Sequence, residues 1–215
     1  AIAHGYGIEI DLQLSADQTP MVFHDYGLNR LTAETGTVAQ MKAAQLGAFQ
    51  LSGGNEGIPD LTEILDLVAG QAPLLIEFKD QDGAMGTNVG SLEKTAADLL
   101  SNYSGPVAVM SFNPNSVACL AEFLPGVARG IVTSAYTPDD WPLSRVACDH
   151  LRGIPDYDRV GASFISHELA DLGRARVAEL KANGANVLCW TVKSAVQEAE
   201  ARKVAENITF EQYLA

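Results

Sequence analysis

The sequence predicts an α/β fold, a (β/α)8 barrel of the TIM type that lacks its first strand. Short apolar runs alternate with amphipathic helical patterns, which implies parallel strands joined by crossover helices. Eight strands are the rule for such a barrel, but the alternation supplies only seven. The first four residues read as the tail of a helix, so we expect a β-strand and most of an α-helix to be missing ahead of Ile8. An open doubly wound sheet is the alternative, but the chain has no Gly-rich dinucleotide loop.

The individual elements follow from apolar periodicity and from stop signals such as Asn183-Gly184. The predicted strands are residues 8–14, 74–78, 107–111, 130–133, 161–165, 187–192 and 207–210. The predicted helices are residues 60–68, 88–103, 115–123, 174–183 and 195–205. We assign residues 1–215 to one barrel domain, with an enlarged loop region at about residues 14–61 on the side that carries active sites in barrels.

Composition excludes several classes of function. Hydrophobic residues make up 47% and charged residues 19%, which is typical of a folded globular chain. The net charge of −13 argues against non-specific nucleic-acid or anionic-membrane binding. No apolar run reaches the length of a membrane span. The three cysteines show no metal-binding or redox spacing, so we expect free thiols and a cytoplasmic location.

Two predicted strands direct acidic side chains toward one face. Glu9 and Asp11 alternate with Ile8, Ile10 and Leu12. Glu77 lies in the next predicted strand, residues 74–78, and Lys79 follows that strand directly, so their side chains likewise point to one face. Carboxylates in a barrel interior are costly unless a cation or hydrogen bonds compensate them. The pattern therefore predicts a site for a hard divalent cation, Ca²⁺ or Mg²⁺, with half-exposed charges or ion pairs as the alternative.

Three further residues are candidates for the site or its surroundings. His24 can reach the barrel mouth and move a proton near neutral pH. Trp190, near the end of the run 187–192, is either core packing or a substrate contact, and we assign it to substrate binding. We expect Arg30 to brace the enlarged loop through a carboxylate rather than to touch phosphate.

An ordered set of short motifs resembles the glycerophosphodiester phosphodiesterase family and spans nearly the whole chain. The motifs are Glu9-x-Asp11, His24-Asp25, Gly57-Ile58-Pro59-x-Leu61, Ile76-Glu77-Phe78-Lys79, Ser111-Phe112, Cys189-Trp190-Thr191-Val192 and Ile208-Thr209-Phe210-Glu211. The resemblance implies a metal-dependent phosphodiesterase barrel related to phosphatidylinositol-specific phospholipases C.

What the resemblance implies can be stated residue by residue. Substrates would be small glycerophosphodiesters, hydrolysed to sn-glycerol 3-phosphate and an alcohol. Glu9, Asp11 and Glu77 would hold the divalent ion. His24 would be one of two acid/base histidines, and Lys79 would contact the phosphate.

The chain departs from the family pattern in two places. The family begins with a His-Arg-Gly motif on its first strand, which this sequence lacks, and Lys193 stands where the family usually has Asn. We expect the motif to lie on the missing strand. The alternative is a barrel that binds metal and phosphate without catalysis, because the second histidine is lost.

Overall fold

The computed structural model describes residues 1–215 and contains one curled sheet of eight strands. Their order in the sheet is β2-β1-β3-β4-β5-β6-β7-β8. Every neighbouring pair is parallel except β1 and β2, which form an antiparallel hairpin. The strands are β1 Ile8–Leu14, β2 Pro20–Val22, β3 Leu74–Phe78, β4 Val107–Ser111, β5 Ala128–Thr133, β6 Phe164–Glu168, β7 Asn186–Val192 and β8 Asn207–Phe210.

Seven α-helices accompany the sheet, and most of them connect successive parallel strands. They are α1 Ala43–Leu46, α2 Leu61–Val68, α3 Ser91–Leu100, α4 Pro114–Phe123, α5 Arg145–Arg152, α6 Ala175–Ala182 and α7 Ala195–Ala201. Short 3-10 helices lie at Ile2–His4, Val38–Gln40 and Leu169–Asp171. None of the helices combines the length and apolar composition needed to cross a bilayer.

All seven predicted strands and all five predicted helices are present, but several bounds were wrong. The run predicted at 161–165 starts later, at Phe164, because Gly161 adopts a left-handed conformation in a turn. Helix α3 starts after Gly90, whose N–H donates to the Glu93 carboxylate, rather than at residue 88. The sequence missed α1, which is only four residues long, and α5, in which only Cys148 and Leu151 are buried.

The two faces of the sheet form separate cores, as strand alternation requires. Ile10, Leu12 and Ile76 belong to a cluster on the outer face that includes residues of α2 and α3. The inner face carries a smaller cluster built on Met110, Val132 and Phe164. The Phe164 ring covers Gly130 so closely that a Cβ there would lie 2.2 Å from the ring. The part of the interior next to these residues is therefore filled by side chains.

The enlarged loop region between β1 and α2 has its own small core. Its buried residues are Met21, Phe23, Leu28, Val38, Leu46 and Ile58. Gly57 passes directly against the Gly47 carbonyl, leaving no room for a side chain. The region is therefore packed into a defined shape, which allows it to present side chains above the sheet.

The sheet is open along one line. Strand β8 pairs only with β7, and β2 covers only the second half of β1, from Leu12 to Leu14. A groove of about 880 Å³ runs between the unpaired edges and is lined by residues of β1 and β8, including Ile8, Glu9 and Ile208. The expected additional strand stays a prediction, since β2 is antiparallel and does not close the barrel.

Candidate active site

The three predicted acidic residues come together on the inner face of β1 and β3. Asp11 and Glu77 are direct register partners, and Glu9 precedes Asp11 by two residues on the same face. One carboxylate oxygen from each of the three residues lies within 4.8 Å of the other two. Strand alternation explains the shared face, and the parallel register explains the proximity.

Burial makes this carboxylate cluster electrostatically unfavourable by itself. Burial raises the pKa of Glu9 to about 8, and the charges of Asp11 and Glu77 act in the same direction. Burial also raises the pKa of Glu77. A shift in this direction means that burial and the neighbouring carboxylates disfavour the ionised forms of Glu9 and Glu77. A bound cation would favour the ionised forms.

Lys79 supplies the positive charge present at the cluster. Its ammonium lies 2.9 Å from Asp11 Oδ1 and 2.9 Å from Glu77 Oε1, and its side chain is 12% exposed. Burial opposes the charge on Lys79, but Glu77 and Asp11 outweigh it and raise the pKa of Lys79. The sequence also allowed ion pairs in place of a metal site, and such pairs are present between Lys79 and both Asp11 and Glu77. Glu9 takes part in neither pair.

His24 lies at the rim of the same site, at the end of a hydrogen-bonded chain formed by His24, Asp25 and Arg30. Its Nδ1 lies 2.6 Å from Asp25 Oδ1, and Arg30 donates to both carboxylate oxygens of Asp25, from Nε at 2.5 Å and from Nη2 at 2.6 Å. The Arg30 hydrogen bonds lower the pKa of Asp25 to about 2. An ionised carboxylate only accepts hydrogen bonds, so Nδ1 of His24 carries a proton and donates it. The expectation that Arg30 braces this region is confirmed.

A cavity of about 410 Å³ joins these groups. Glu77 and Lys79 line this cavity together with His24, so one member of the acidic cluster and the histidine share a common space. Glu9 lines the separate groove between β1 and β8 instead. The remaining lining residues are Asp25, Tyr26, Gly27, Asn29, Asp80, Met85, Phe112 and Trp141.

Trp141 is a lining residue that sequence reasoning missed. It lies in the loop between β5 and α5, and its ring packs 5.1 Å from Phe112 and 4.9 Å from the buried Tyr136. Trp190, by contrast, does not line the cavity: its indole donates to the Ser166 carbonyl at 3.0 Å and packs behind Phe112 at 5.6 Å. The strand-end argument pointed to Trp190, but no signal in the sequence marked Trp141.

Comparison with known proteins gives a consistent result. Residues 1–208 match the model of the glycerophosphoryl diester phosphodiesterase family. YhdW of Bacillus subtilis (strain 168), named as a candidate glycerophosphodiester phosphodiesterase, is 27% identical over 199 residues, which cover 87% of this chain and 74% of that relative. A glycerophosphodiester phosphodiesterase of Bacillus altitudinis is 27% identical over 135 residues, covering 59% of this chain and 54% of the relative.

The fold comparison agrees with the sequence matches. The structure of an Oleispira antarctica phosphodiesterase, in complex with the product sn-glycerol 3-phosphate, superimposes with a TM-score of 0.78. The sequence identity is 22%, and the superposition covers 98% of this chain and 83% of the other. At this identity the match establishes a shared fold.

Proposed function

Since the chain belongs to the glycerophosphoryl diester phosphodiesterase family, we propose that it hydrolyses small glycerophosphodiesters to sn-glycerol 3-phosphate and an alcohol. The observation that carries the proposal is a cluster of three carboxylates, Glu9, Asp11 and Glu77, of which Glu77 lines a cavity together with Lys79 and His24. The named activities of the relatives, and the product bound to the Oleispira antarctica enzyme, support the same reaction.

Glu9, Asp11 and Glu77 are proposed to hold a divalent cation, Ca²⁺ or Mg²⁺. The donor set fits, because it consists of carboxylate oxygens, which hard cations prefer, and contains no thiolate or imidazole. The close approach of one oxygen from each residue supports the fit, since the three can reach a common point. When bound, such an ion would neutralise charge that develops on the phosphate in the transition state.

Lys79 is proposed to attract and orient the substrate phosphate. Its ammonium is the only Lys or Arg charge that lines the cavity. The pKa of Lys79 is raised by Glu77 and Asp11, so it remains charged throughout the neutral range. An anionic substrate approaching a chain of net charge −13 requires such a local cation. We further propose that Trp190 supports the substrate side of the site through Phe112 rather than by direct contact.

His24 is proposed to move a proton through Nε2. Because Nδ1 donates to Asp25, the neutral ring has Nε2 free to accept a proton, and the protonated ring can donate one from the same atom. Asp25 is held by Arg30, so the ring is oriented by a third residue in the manner of other catalytic histidines.

We also propose that a strand carrying the family's His-Arg-Gly motif pairs with β8 and with the first half of β1 in the full protein. The support is the unpaired edges of both strands and the groove between them, which Glu9 also lines. Such a strand would place the second histidine beside the carboxylate cluster. Comparing this chain with one extended at its N-terminus by the native reading frame tests the idea through turnover number. Equal turnover would contradict it.

The test of the reaction is the release of glycerol 3-phosphate from glycerophosphocholine by the N-terminally extended protein, with and without EDTA. We expect release that EDTA abolishes and that Ca²⁺ or Mg²⁺ restores. The His24→Ala variant should lose turnover and keep its metal affinity, measured by calorimetry. The exposed His150→Ala variant is the matched control, because His150 pairs with Asp156 away from the cavity. Metal and phosphate binding without release would favour the non-catalytic barrel.

A further inference from the structure

Gln13 is a buried polar residue that the proposed chemistry leaves without a role. It follows Asp11 by two residues on β1, on the same face as Glu9 and Asp11, and is 2% exposed. Its side-chain Nε2 donates to the Phe23 carbonyl at 2.8 Å and to the Asp25 carbonyl at 2.7 Å. Both partners are acceptors, so the amide nitrogen has to face them.

The two carbonyls belong to the residues on either side of His24. The segment is also tied to β1 through its backbone, since the Phe23 N–H donates to the Asp11 carbonyl at 3.0 Å. The His24 side chain itself is 60% exposed, so packing does little to hold it. The position of the ring therefore depends on the Asp25 carboxylate and on the backbone that carries both residues, and the Gln13 amide holds that backbone on both sides of His24.

We propose that Gln13 is a positioning residue that sets the distance between His24 and the carboxylate cluster. Strand β1 carries both Asp11 and the Gln13 amide that holds the His24 segment. It therefore fixes the position of His24 relative to the carboxylate cluster. The inference rests on the proposed function, in which His24 moves a proton for a substrate held at the cluster. A displacement of about 1 Å between such groups can lower a rate on the order of 100-fold.

The experiment replaces Gln13 with Met, which has similar length and volume but no donor, and with Glu, which places an oxygen where the amide nitrogen stands. The control is Gln71→Met, because the Gln71 amide also donates to two backbone carbonyls, those of Leu67 and Val68, in the connection between α2 and β3. We expect kcat to fall about 10- to 100-fold in both Gln13 variants. KM for glycerophosphocholine, the affinity for Ca²⁺ and the activity of Gln71→Met should change by less than about threefold.

A double-mutant cycle with His24→Ala separates positioning from general damage. If Gln13 acts through His24, adding Gln13→Met to His24→Ala should lower kcat by less than about twofold further. An equal loss in both backgrounds, or a parallel loss of Ca²⁺ affinity, would overturn the proposal.

A spectroscopic measurement keeps the inference independent of turnover. With ¹⁵N-labelled histidine, the Nδ1–H signal of His24, assigned through His24→Ala, should be sharp in the native protein and broadened or shifted in Gln13→Met. An unchanged signal would also overturn the proposal. If the native protein releases no glycerol 3-phosphate, the proposed function fails, whereas this spectrum still decides whether Gln13 holds His24.

Discussion

Replacing Lys79 with Met tests the electrostatics of the carboxylate cluster most directly. Met has a similar length but no charge, so the substitution removes the ammonium that lies 2.9 Å from both Asp11 and Glu77. Breaking a buried ion pair by removing one partner costs about 3–5 kcal/mol, because the remaining charge is left uncompensated. For a chain of this size, 1 kcal/mol corresponds to about 2–4 °C in Tm. We therefore expect Tm to fall by about 6–20 °C in EDTA.

The assay is thermal unfolding followed by circular dichroism, in EDTA and then with excess Ca²⁺ or Mg²⁺. A divalent ion should restore much of the loss, since a ligand at about 100 times its Kd stabilises by about 2.7 kcal/mol. The rise in Tm on adding metal should be larger for Lys79→Met than for the native protein, because Lys79 already supplies part of the positive charge.

Lys94→Met provides the matched control. Lys94 pairs with Asp98 at 3.2 Å on the exposed surface of α3, with 64% of its side chain accessible. Pairs of this kind contribute little to stability, so we expect Tm to be nearly unchanged. A Lys79→Met protein as stable as Lys94→Met in EDTA, or one that metal does not stabilise, would refute the reasoning.

Three further predictions concern the rim and the interior. The pKa of Asp25 is lowered to about 2 by Arg30, so the stability from this pair is present above the unfolded pKa of 3.8 and is lost as pH falls through about 2. The difference in free energy of unfolding between the native protein and Arg30→Met, measured by urea titration, should therefore vanish as the pH falls from about 4 to about 2. Gly130→Ala should lower the free energy of unfolding by about 1–3 kcal/mol, since its Cβ would overlap the Phe164 ring; Tm unchanged within error would contradict this. Trp141→Ala should raise KM for glycerophosphocholine, because the ring lines the cavity; an unchanged KM would remove Trp141 from the site.

Much of the architecture could be predicted because it depends on local patterns. The bounds of β1, β3, β4 and β8 agree with apolar alternation and its punctuation. Helix α1 and helix α5 were missed for the opposite reason: one is too short to show a period, and the other buries only two residues. The boundary errors at β6 and α3 both involve glycines in left-handed conformations, whose position depends on the turn around them.

The sequence by itself determined which side chains share a face. A period of two residues places Glu9 with Asp11, and Glu77 with Lys79, whatever the fold around them. Tertiary structure alone decided the distances. It sets Asp11 opposite Glu77 in the strand register and brings Lys79 into contact with Asp11. It also brings the Gln13 amide to the carbonyls on both sides of His24 and places Trp141 at the cavity. These contacts join residues at least ten positions apart in the chain, so they depend on strand register and loop closure, which no local pattern encodes.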